Sequence, residues 1–385
     1  MNKVRILCVG IGGYANVYLE ALLKRDCADF EIAGMVDIAP QGCKYFAQLR
    51  DMGVPLYSDM EAFYVEHEAD LAIITTPIHL HTRQILCALE HHSHVLCEKP
   101  LSGCSADAER ILQASQAADR FVMIGYQWSY SEAILRLKAD ILAKRYGNAV
   151  FCKSMVLWPR PKDYFTRGSG WGGKRTAPDG TVINDSVLNN ATAHYIHNIL
   201  YVLGDTLESS AHATVTDCTL LRANDIENFD TVCLHFKTEG GCRGLYLASH
   251  ATEKLLDPIF EYRFENGSVC FSEQTRRIIG TLADGTVIDY GDPFEDINRK
   301  VWMAIDNVKN ETWSVPCGVV AAAEQVRLVE AAQTYPIQTV TADARGTRDA
   351  FIFVKGLHEE MLRCYRDECP RFSAECMKKW VEDAQ

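Results

Sequence analysis

The sequence predicts an α/β chain: an N-terminal doubly wound parallel sheet, then an α+β part with a large, mostly antiparallel open sheet. Three observations carry this. A continuous apolar run, Val4–Val9, leads straight into a glycine-rich turn. Strand-like and helix-like segments then alternate as far as about Gly125, the spacing of βαβ units and a parallel sheet. Past that point the texture changes to long helices, a basic and aromatic loop, and a series of alternating strands.

In chain order, Val4–Val9 reads as a buried first strand and Ala15–Arg25 as a helix with one apolar face. Glu31–Val36, Leu71–Thr75, His94–Cys97 and Phe121–Ile124 are further short apolar strands, with helices expected at Met60–His67, His81–Glu90 and Ala106–Ala118. Residues 1–125 therefore form one domain and 126–385 a second. In the second, helices are expected at Tyr130–Tyr146 and Ser186–Leu203, separated by a loop from Trp158 to Gly180. Strands follow at Thr231–Lys237, Gly244–His250, Tyr262–Phe264, Val269–Phe271 and Arg277–Leu282, with Glu265-Asn266-Gly267 as a turn. Ala321–Thr334 and Thr347–Arg366 read as late helices, which could return to the first domain.

Composition narrows the function. The formal charge of −12 repels phosphate backbones, so nucleic acid is not an expected partner. No apolar run approaches the ~20 residues that cross a bilayer, so no membrane partner is expected. Fifteen scattered cysteines contain no C-x-x-C pair. That pattern fits neither a secreted disulfide framework nor a metal site, so no metal is expected, and free thiols in a reducing cytoplasm are the reading. A redox-sensing cysteine is the alternative.

The turn after the first strand is Gly10-Ile11-Gly12-Gly13-Tyr14-Ala15, a G-x-G-x-x-A pattern between strand and helix. Gly10 permits the turn, Gly12 lets the backbone approach a pyrophosphate, and Ala15 permits close packing of helix on strand. The helix start offers N–H groups and a positive dipole end to phosphate. Asp37, closing the second strand, stands where an acid binds a ribose 2′-hydroxyl, and no arginine follows it to take a 2′-phosphate. This Rossmann pattern favours NAD over NADP. Asp37 could instead be a solvated turn residue.

Thr76-Pro77-Ile78-His79-Leu80-His81 and Cys97-Glu98-Lys99-Pro100-Leu101, at this spacing behind the glycine turn, resemble the Gfo/Idh/MocA family of glucose–fructose oxidoreductases and inositol dehydrogenases. Gly125-Tyr126-Gln127, Trp171 and a histidine-bearing helix at Asn190–Leu203 extend the resemblance over the chain. It implies a nicotinamide at the carboxyl ends of the Rossmann strands, a cis Lys99–Pro100 peptide, and Thr76, Pro77, His79, His81, Glu98 and Gln127 lining the cofactor. It also implies Lys99 at the reacting hydroxyl, Tyr126 near the substrate, and homodimers or homotetramers formed through the C-terminal sheet.

The chain departs from the family at one helix. Where the family reads D-x-G-x-H-x-x-D, this sequence has Asn190, keeps His194, and has His197 in place of the second aspartate. On a helix these three would share a face. A histidine on an apolar helix is by itself more often a core residue; the resemblance makes His194 the candidate base and leaves His197 open. Oxidation of a secondary alcohol needs the hydroxyl proton removed as the hydride leaves, which suits an imidazole, and a lysine can stabilise the developing alkoxide. Asn190 can orient but adds no charge. Asp185 could substitute for the missing carboxylate, though capping the helix suits it better.

The loop from Trp158 to Arg175 gathers Trp158, Arg160, Lys162, Tyr164, Phe165, Arg167, Trp171, Lys174 and Arg175. Aromatic faces suit the C–H faces of sugars, and Arg and Lys suit hydroxyls, carboxylates or phosphates. Trp158, Arg160, Trp171 and Lys174, with Asn190, His194 and His197, are the substrate-contacting candidates; the other reading is an exposed loop packed on its own aromatics. The function expected is NAD-dependent hydride transfer at a ring hydroxyl of a sugar, glycoside or inositol-like polyol. Alternatives are redox-assisted glycoside cleavage on a retained NAD, and a non-catalytic regulator that binds cofactor and sugar.

Overall fold

The computed structural model describes residues 3–25, 28–166, 170–369 and 371–382. The chain forms two compact units, one of residues 1–130 with 296–323, the other of residues 131–295 with 324–385.

The first unit is built on six parallel strands: β1 (Val4–Val9), β2 (Phe30–Val36), β3 (Leu56–Tyr57), β4 (Leu71–Ile74), β5 (His94–Cys97) and β6 (Val122–Ile124). Their order is β3-β2-β1-β4-β5-β6, so the order reverses beside β1. β4, β5 and β6 are buried at every residue, as a sheet covered on both faces requires. The helices are α1 (Ala15–Lys24), α2 (Phe46–Asp51), α3 (Met60–Glu66), α4 (Ile78–Glu90) and α5 (Ser105–Ala118). Asp59 caps α3 by accepting the Ala62 N–H at 2.8 Å. From the later segment, helix α9 (Arg299–Asn310; numbered along the whole chain) lies across β1, β4 and β5.

The second unit carries a nine-stranded mixed sheet. Its strands are β7 (Ala149–Leu157), β8 (Ala213–Arg222), β9 (Thr231–Thr238), β10 (Arg243–Ser249), β11 (Leu256–Phe264), β12 (Gly267–Phe271), β13 (Ile278–Leu282), β14 (Val287–Gly291) and β15 (Ile337–Thr339). The order is β14-β13-β12-β11-β7-β10-β9-β8-β15; β7 with β10 and β8 with β15 are parallel, and the other pairs antiparallel. The remaining elements are α6 (Glu132–Leu142), α7 (Lys162–Thr166), α8 (Ala193–Val202), α10 (Val319–Ala332), the hairpin β16 (Arg345–Arg348) and β17 (Phe351–Val354), α11 (Leu357–Asp367) and α12 (Ala374–Trp380). One sheet face meets α8, where the Tyr246 hydroxyl donates to the Thr192 carbonyl at 2.7 Å and Asn198 Nδ2 to the Tyr262 hydroxyl at 2.9 Å. On the other face Phe151, Met155, Leu245 and Leu247 pack with Leu357, Met361 and Trp380 of α11 and α12. The terminal helices thus cover the second unit's own sheet, and 296–323 is the segment that joins the first unit.

Three helices differ from the sequence reading. The expected helix at 347–366 is a hairpin followed by α11: Phe351–Val354 is an apolar run that pairs as a strand, and Gly356, at φ +78°, breaks the chain before the helix. The helix expected from Tyr130 begins at Glu132 behind the Ser131 cap, with a 3₁₀ turn before it at Gln127–Tyr130, and ends at Leu142. The helix expected from Ser186 begins at Ala193; residues 186–192 form turns, because Thr192 Oγ1 bonds to the Val187 carbonyl and Asn189 Nδ2 to the Ile183 carbonyl.

Candidate functional site

In the first unit, the candidate residues gather at the carboxyl edge of the parallel sheet. Gly10 follows β1, Asp37 follows β2, Thr76 lies just past β4, Glu98 and Lys99 follow β5, and Tyr126 and Gln127 lie just past β6. In an open α/β sheet this edge, at the point where strand order reverses, is where ligands bind.

Gly10 has φ +75°, and a Cβ there would stand 2.6 Å from Thr76 Cγ2 and 3.1 Å from the Thr76 nitrogen. The glycine is what lets the β1 turn pass against the β4 turn. Gly13, at φ +57°, faces open space, and Ala15 is buried in the first turn of α1. Asp37 Oδ2 accepts the Ile11 N–H at 2.7 Å and Oδ1 the Ala39 N–H at 2.7 Å. The carboxylate is therefore held beside the glycine turn, each oxygen retaining a lone pair for a ribose hydroxyl. These residues fit an NAD adenosine and pyrophosphate: an open glycine cradle at a helix start, with a fixed acid at the ribose position.

The β4 and β5 turns are tied together. Pro77 precedes α4 as its N-cap residue, and the Thr76 hydroxyl bonds Gln84. The buried His81 ring spans two carbonyls, Pro100 O from Nδ1 and Thr76 O from Nε2, each at 2.8 Å. Burial pulls its pKa down, against the pull of the two carbonyls. His79, in the first turn of the same helix, is half-buried. The Lys99–Pro100 peptide is cis.

Glu98 is the electrostatic centre of this edge. Its Oε1 accepts the Tyr18 hydroxyl at 2.5 Å and Lys300 Nζ at 2.6 Å, and its Oε2 the Lys99 backbone N–H at 3.2 Å. Burial alone would push the carboxyl up; the charges of Lys300 and Lys99 and the bonds from Lys300 and Tyr18 outweigh it and hold Glu98 below the ordinary carboxylate range. Lys300, on α9, is buried, also reaches the Gly125 carbonyl at 3.3 Å, and lies 4.7 Å above the Tyr18 ring. A Cβ at Gly125 would stand 2.7 Å from Glu98 Oε1. Sequence reasoning missed Lys300 altogether. The apolar spacing Val301, Ala304, Ile305, Val308 marks α9 as amphipathic, and that signal was available. Lys99 itself is half-buried. The Tyr14 hydroxyl bonds Gln127 Oε1 at 3.3 Å at the rim, whereas Tyr126 is 1% exposed and its ring belongs to the interior.

In the second unit, every residue of α8 is buried except His194. A core helix thus opens at one position, and it is an imidazole. His197, one turn on, is 1% exposed and stacked on Tyr201; burial and the nearby Lys138 charge push its pKa down to about 3, so it is a neutral interior ring. Asn190 lies before the helix, in the turn whose carbonyl accepts the Ala193 N–H at 3.3 Å, so the shared helix face expected for 190, 194 and 197 does not form. The residue before α8 is Thr192, not Asp185; Asp185 accepts the Gly173 N–H at 2.5 Å at the base of the loop.

Part of the loop packs against Tyr195, the neighbour of His194 on α8. The Trp158 ring meets Tyr195 edge-on at 5.5 Å, and Tyr195 adjoins His194 at 6.2 Å. The Arg160 guanidinium lies 5.4 Å from Trp158 and 4.9 Å from Tyr164. Trp158 Nε1 donates to Asp257 at 2.9 Å, which fixes the indole. Trp171 and Lys174 form a separate turn, joined by a 3.2 Å backbone bond. Arg167 lies outside the described residues.

The first unit, by strand order and glycine turn, is a dinucleotide-binding Rossmann fold. Residues 4–126 match the Gfo/Idh/MocA family model, described as "Oxidoreductase family, NAD-binding Rossmann fold". Among relatives, inositol 2-dehydrogenase of Salmonella typhimurium is 28% identical over 145 residues, 36% of this chain and 41% of that protein. The chain thus spans about two-fifths of that relative's length. Myo-inositol 2-dehydrogenase of Thermotoga maritima is 21% identical over 290 residues, covering 73% of this chain and 78% of the relative. Among solved structures, the WlbA dehydrogenase of Chromobacterium violaceum, in complex with NADH and UDP-GlcNAcA, superposes with a TM-score of 0.71 at 22% identity over 87% of this chain and 94% of that one. Among the described residues no helix is long and apolar enough to cross a membrane.

Proposed function

We propose that the protein is an NAD-dependent oxidoreductase acting on a ring CH–OH of a sugar, a glycoside or an inositol-like polyol. The observation that carries this is the alignment of Gly10, Asp37, Thr76, Glu98 and Lys99 along one carboxyl edge of the parallel sheet, with Asp37 locked beside the glycine turn. The inositol dehydrogenases and the sugar-nucleotide-bound dehydrogenase among its relatives and neighbours support the substrate class.

Bound NAD would supply the hydride acceptor. Gly10, Gly12 and Gly13 with the α1 start would hold its pyrophosphate, and Asp37 its adenosine ribose. Lys99 brings an ammonium to the substrate hydroxyl and stabilises the oxygen as negative charge develops. Glu98, pinned by Lys300 and Tyr18, holds the Lys99 backbone in place. His194 takes the hydroxyl proton, with Trp158 and Arg160 offering an aromatic face and a cation to the sugar. Asn190 offers an uncharged amide where the family pattern has a carboxylate. The protein would assemble with itself as a homodimer or homotetramer through the second unit's sheet, as the family resemblance implies.

The test is incubation of the purified protein with NAD and a panel of polyols, sugars and glycosides, read as NADH absorbance and released aglycone. Net NADH with a polyol or sugar is the expected result. Aglycone released without net NADH would replace simple dehydrogenation by oxidation, elimination and re-reduction on a retained cofactor. No turnover on any substrate, with NAD bound, would leave a binding protein.

A further inference from the structure

The outer helices of the first unit carry a second convergence of donor atoms, away from the carboxyl edge. Cys87 lies on α4, His91 is the C-cap residue of that helix one turn later, and Glu61 lies in the first turn of α3. One sulfur, one imidazole nitrogen and one carboxylate oxygen from these three all lie within 4.8 Å of one another. His91 Nε2 is 3.3 Å from Glu61 Oε2, and the Cys87 thiol bonds the same carboxylate. The His91 ring is not loose: it stacks on Tyr64 with centroids 4.3 Å apart and planes within 8°, and the Tyr64 hydroxyl shares a 2.8 Å hydrogen bond with Ser93.

We propose that Glu61, Cys87 and His91 bind a divalent cation of the zinc class, with water in the fourth position. Zinc bonds of about 2.0–2.3 Å to nitrogen, oxygen and sulfur, at tetrahedral angles, put ligand atoms about 3.3–3.6 Å apart. The His91–Glu61 separation already has that value. The Cys87 thiol already bonds the same carboxylate, so the remaining closure, about an ångström, lies between the Cys87 sulfur and the His91 nitrogen and falls to rotation of the Cys87 side chain. Two ligands four residues apart at the end of one helix plus a third from a neighbouring helix is a chelating arrangement. The thiolate selects zinc, cobalt and similar ions over magnesium and calcium, which take oxygen ligands. No closely spaced cysteine pair announces this set, because it needs only one cysteine and draws its third ligand from a different helix.

The experiment uses the full-length reduced protein titrated with Co²⁺. The expected result is thiolate-to-cobalt charge transfer in the near ultraviolet with intense tetrahedral visible bands, saturating at one equivalent. Zn²⁺ should abolish both, and Mg²⁺ should leave them. Cys87→Ser should remove the charge-transfer band, and His91→Ala should weaken binding by at least about tenfold. Circular dichroism of both variants establishes that they are folded; the positions are on the outer helices, so native spectra are expected. A pale octahedral cobalt spectrum, a charge-transfer band that survives in Cys87→Ser, or unchanged affinity in His91→Ala would overturn the proposal.

Discussion

Replacing Lys300 by methionine keeps the length of the side chain and removes its charge. The pair it breaks has Nζ 2.6 Å from Glu98 Oε1, with side-chain exposures of 2% and 10%. At an effective dielectric of about 20 the Coulomb attraction at that distance is about 6 kcal/mol, most of it offset by desolvation of the two charges. What counts for the variant is the carboxylate left behind, and removing one partner of a buried pair costs about 3–5 kcal/mol. The loss should depend on pH. In the wild type Glu98 titrates below the ordinary carboxylate range, so its stabilisation is complete above the unfolded value and disappears as pH falls through the lowered one. Without Lys300, burial dominates and the folded-state value rises above the unfolded one. The deficit of Lys300→Met is then full at pH 7 and shrinks as pH falls through the raised value toward about 4. Urea unfolding at both pH values, followed by circular dichroism, measures this. The double variant Glu98→Gln/Lys300→Met should recover part of the loss, since no charge is then buried. A deficit below about 1 kcal/mol, an equal deficit at both pH values, or no recovery in the double variant would refute the reasoning.

Asp37→Ala should weaken NAD binding and narrow the preference over NADP, as read by titration of both cofactors, because it removes a ribose acceptor and a repulsion of the 2′-phosphate together; equal wild-type affinity for the two would contradict the assignment. Gly10→Ala should lower the melting temperature and weaken NAD binding, since the new Cβ meets Thr76 and the backbone is left-handed there; a variant that binds and melts like the wild type would contradict the close approach. Lys99→Met and His194→Ala should each cut kcat by about 10²–10⁴-fold with NAD affinity retained; full turnover in either would remove that residue from the chemistry.

The first unit was legible in the sequence because its signals are local. Strands buried on both faces read as short apolar runs, and each candidate cofactor residue follows one of them directly. Among its strands only the two-residue β3 escaped, being too short to show a pattern; the six-residue α2 and the distant α9 also went unread. Lys300 was illegible for the opposite reason: its partner lies 202 residues away and nothing in the neighbourhood of either residue announces the other. In the second unit, the apolar spacing of α8 continues back to residue 186, but Asn189 and Thr192 divert their hydrogen bonds to nearby carbonyls and hold turns instead. That displacement took Asn190 off the helix face on which the sequence had placed it. β7 and β8 went unread although both are long, because β7 is buried from Phe151 to Leu157 and so shows no alternation of apolar and polar residues, and the alternation in β8 is broken by a register shift between Val215 and Asp217.

The first unit is assembled from two stretches of chain, and this sets an order of events during synthesis. At roughly 5–20 residues per second, the 202 residues between Glu98 and Lys300 take a ribosome about 10–40 seconds to make. Through that interval the glutamate of the β5 turn has no lysine to meet, and β1, β4 and β5 have no α9 to lie under. A fragment ended near residue 125 is in that condition permanently, however well its six strands pair. The nascent Rossmann unit is therefore expected to stay open at this edge until α9 emerges, and an independently folding version would have to be spliced from residues 1–130 and 296–323.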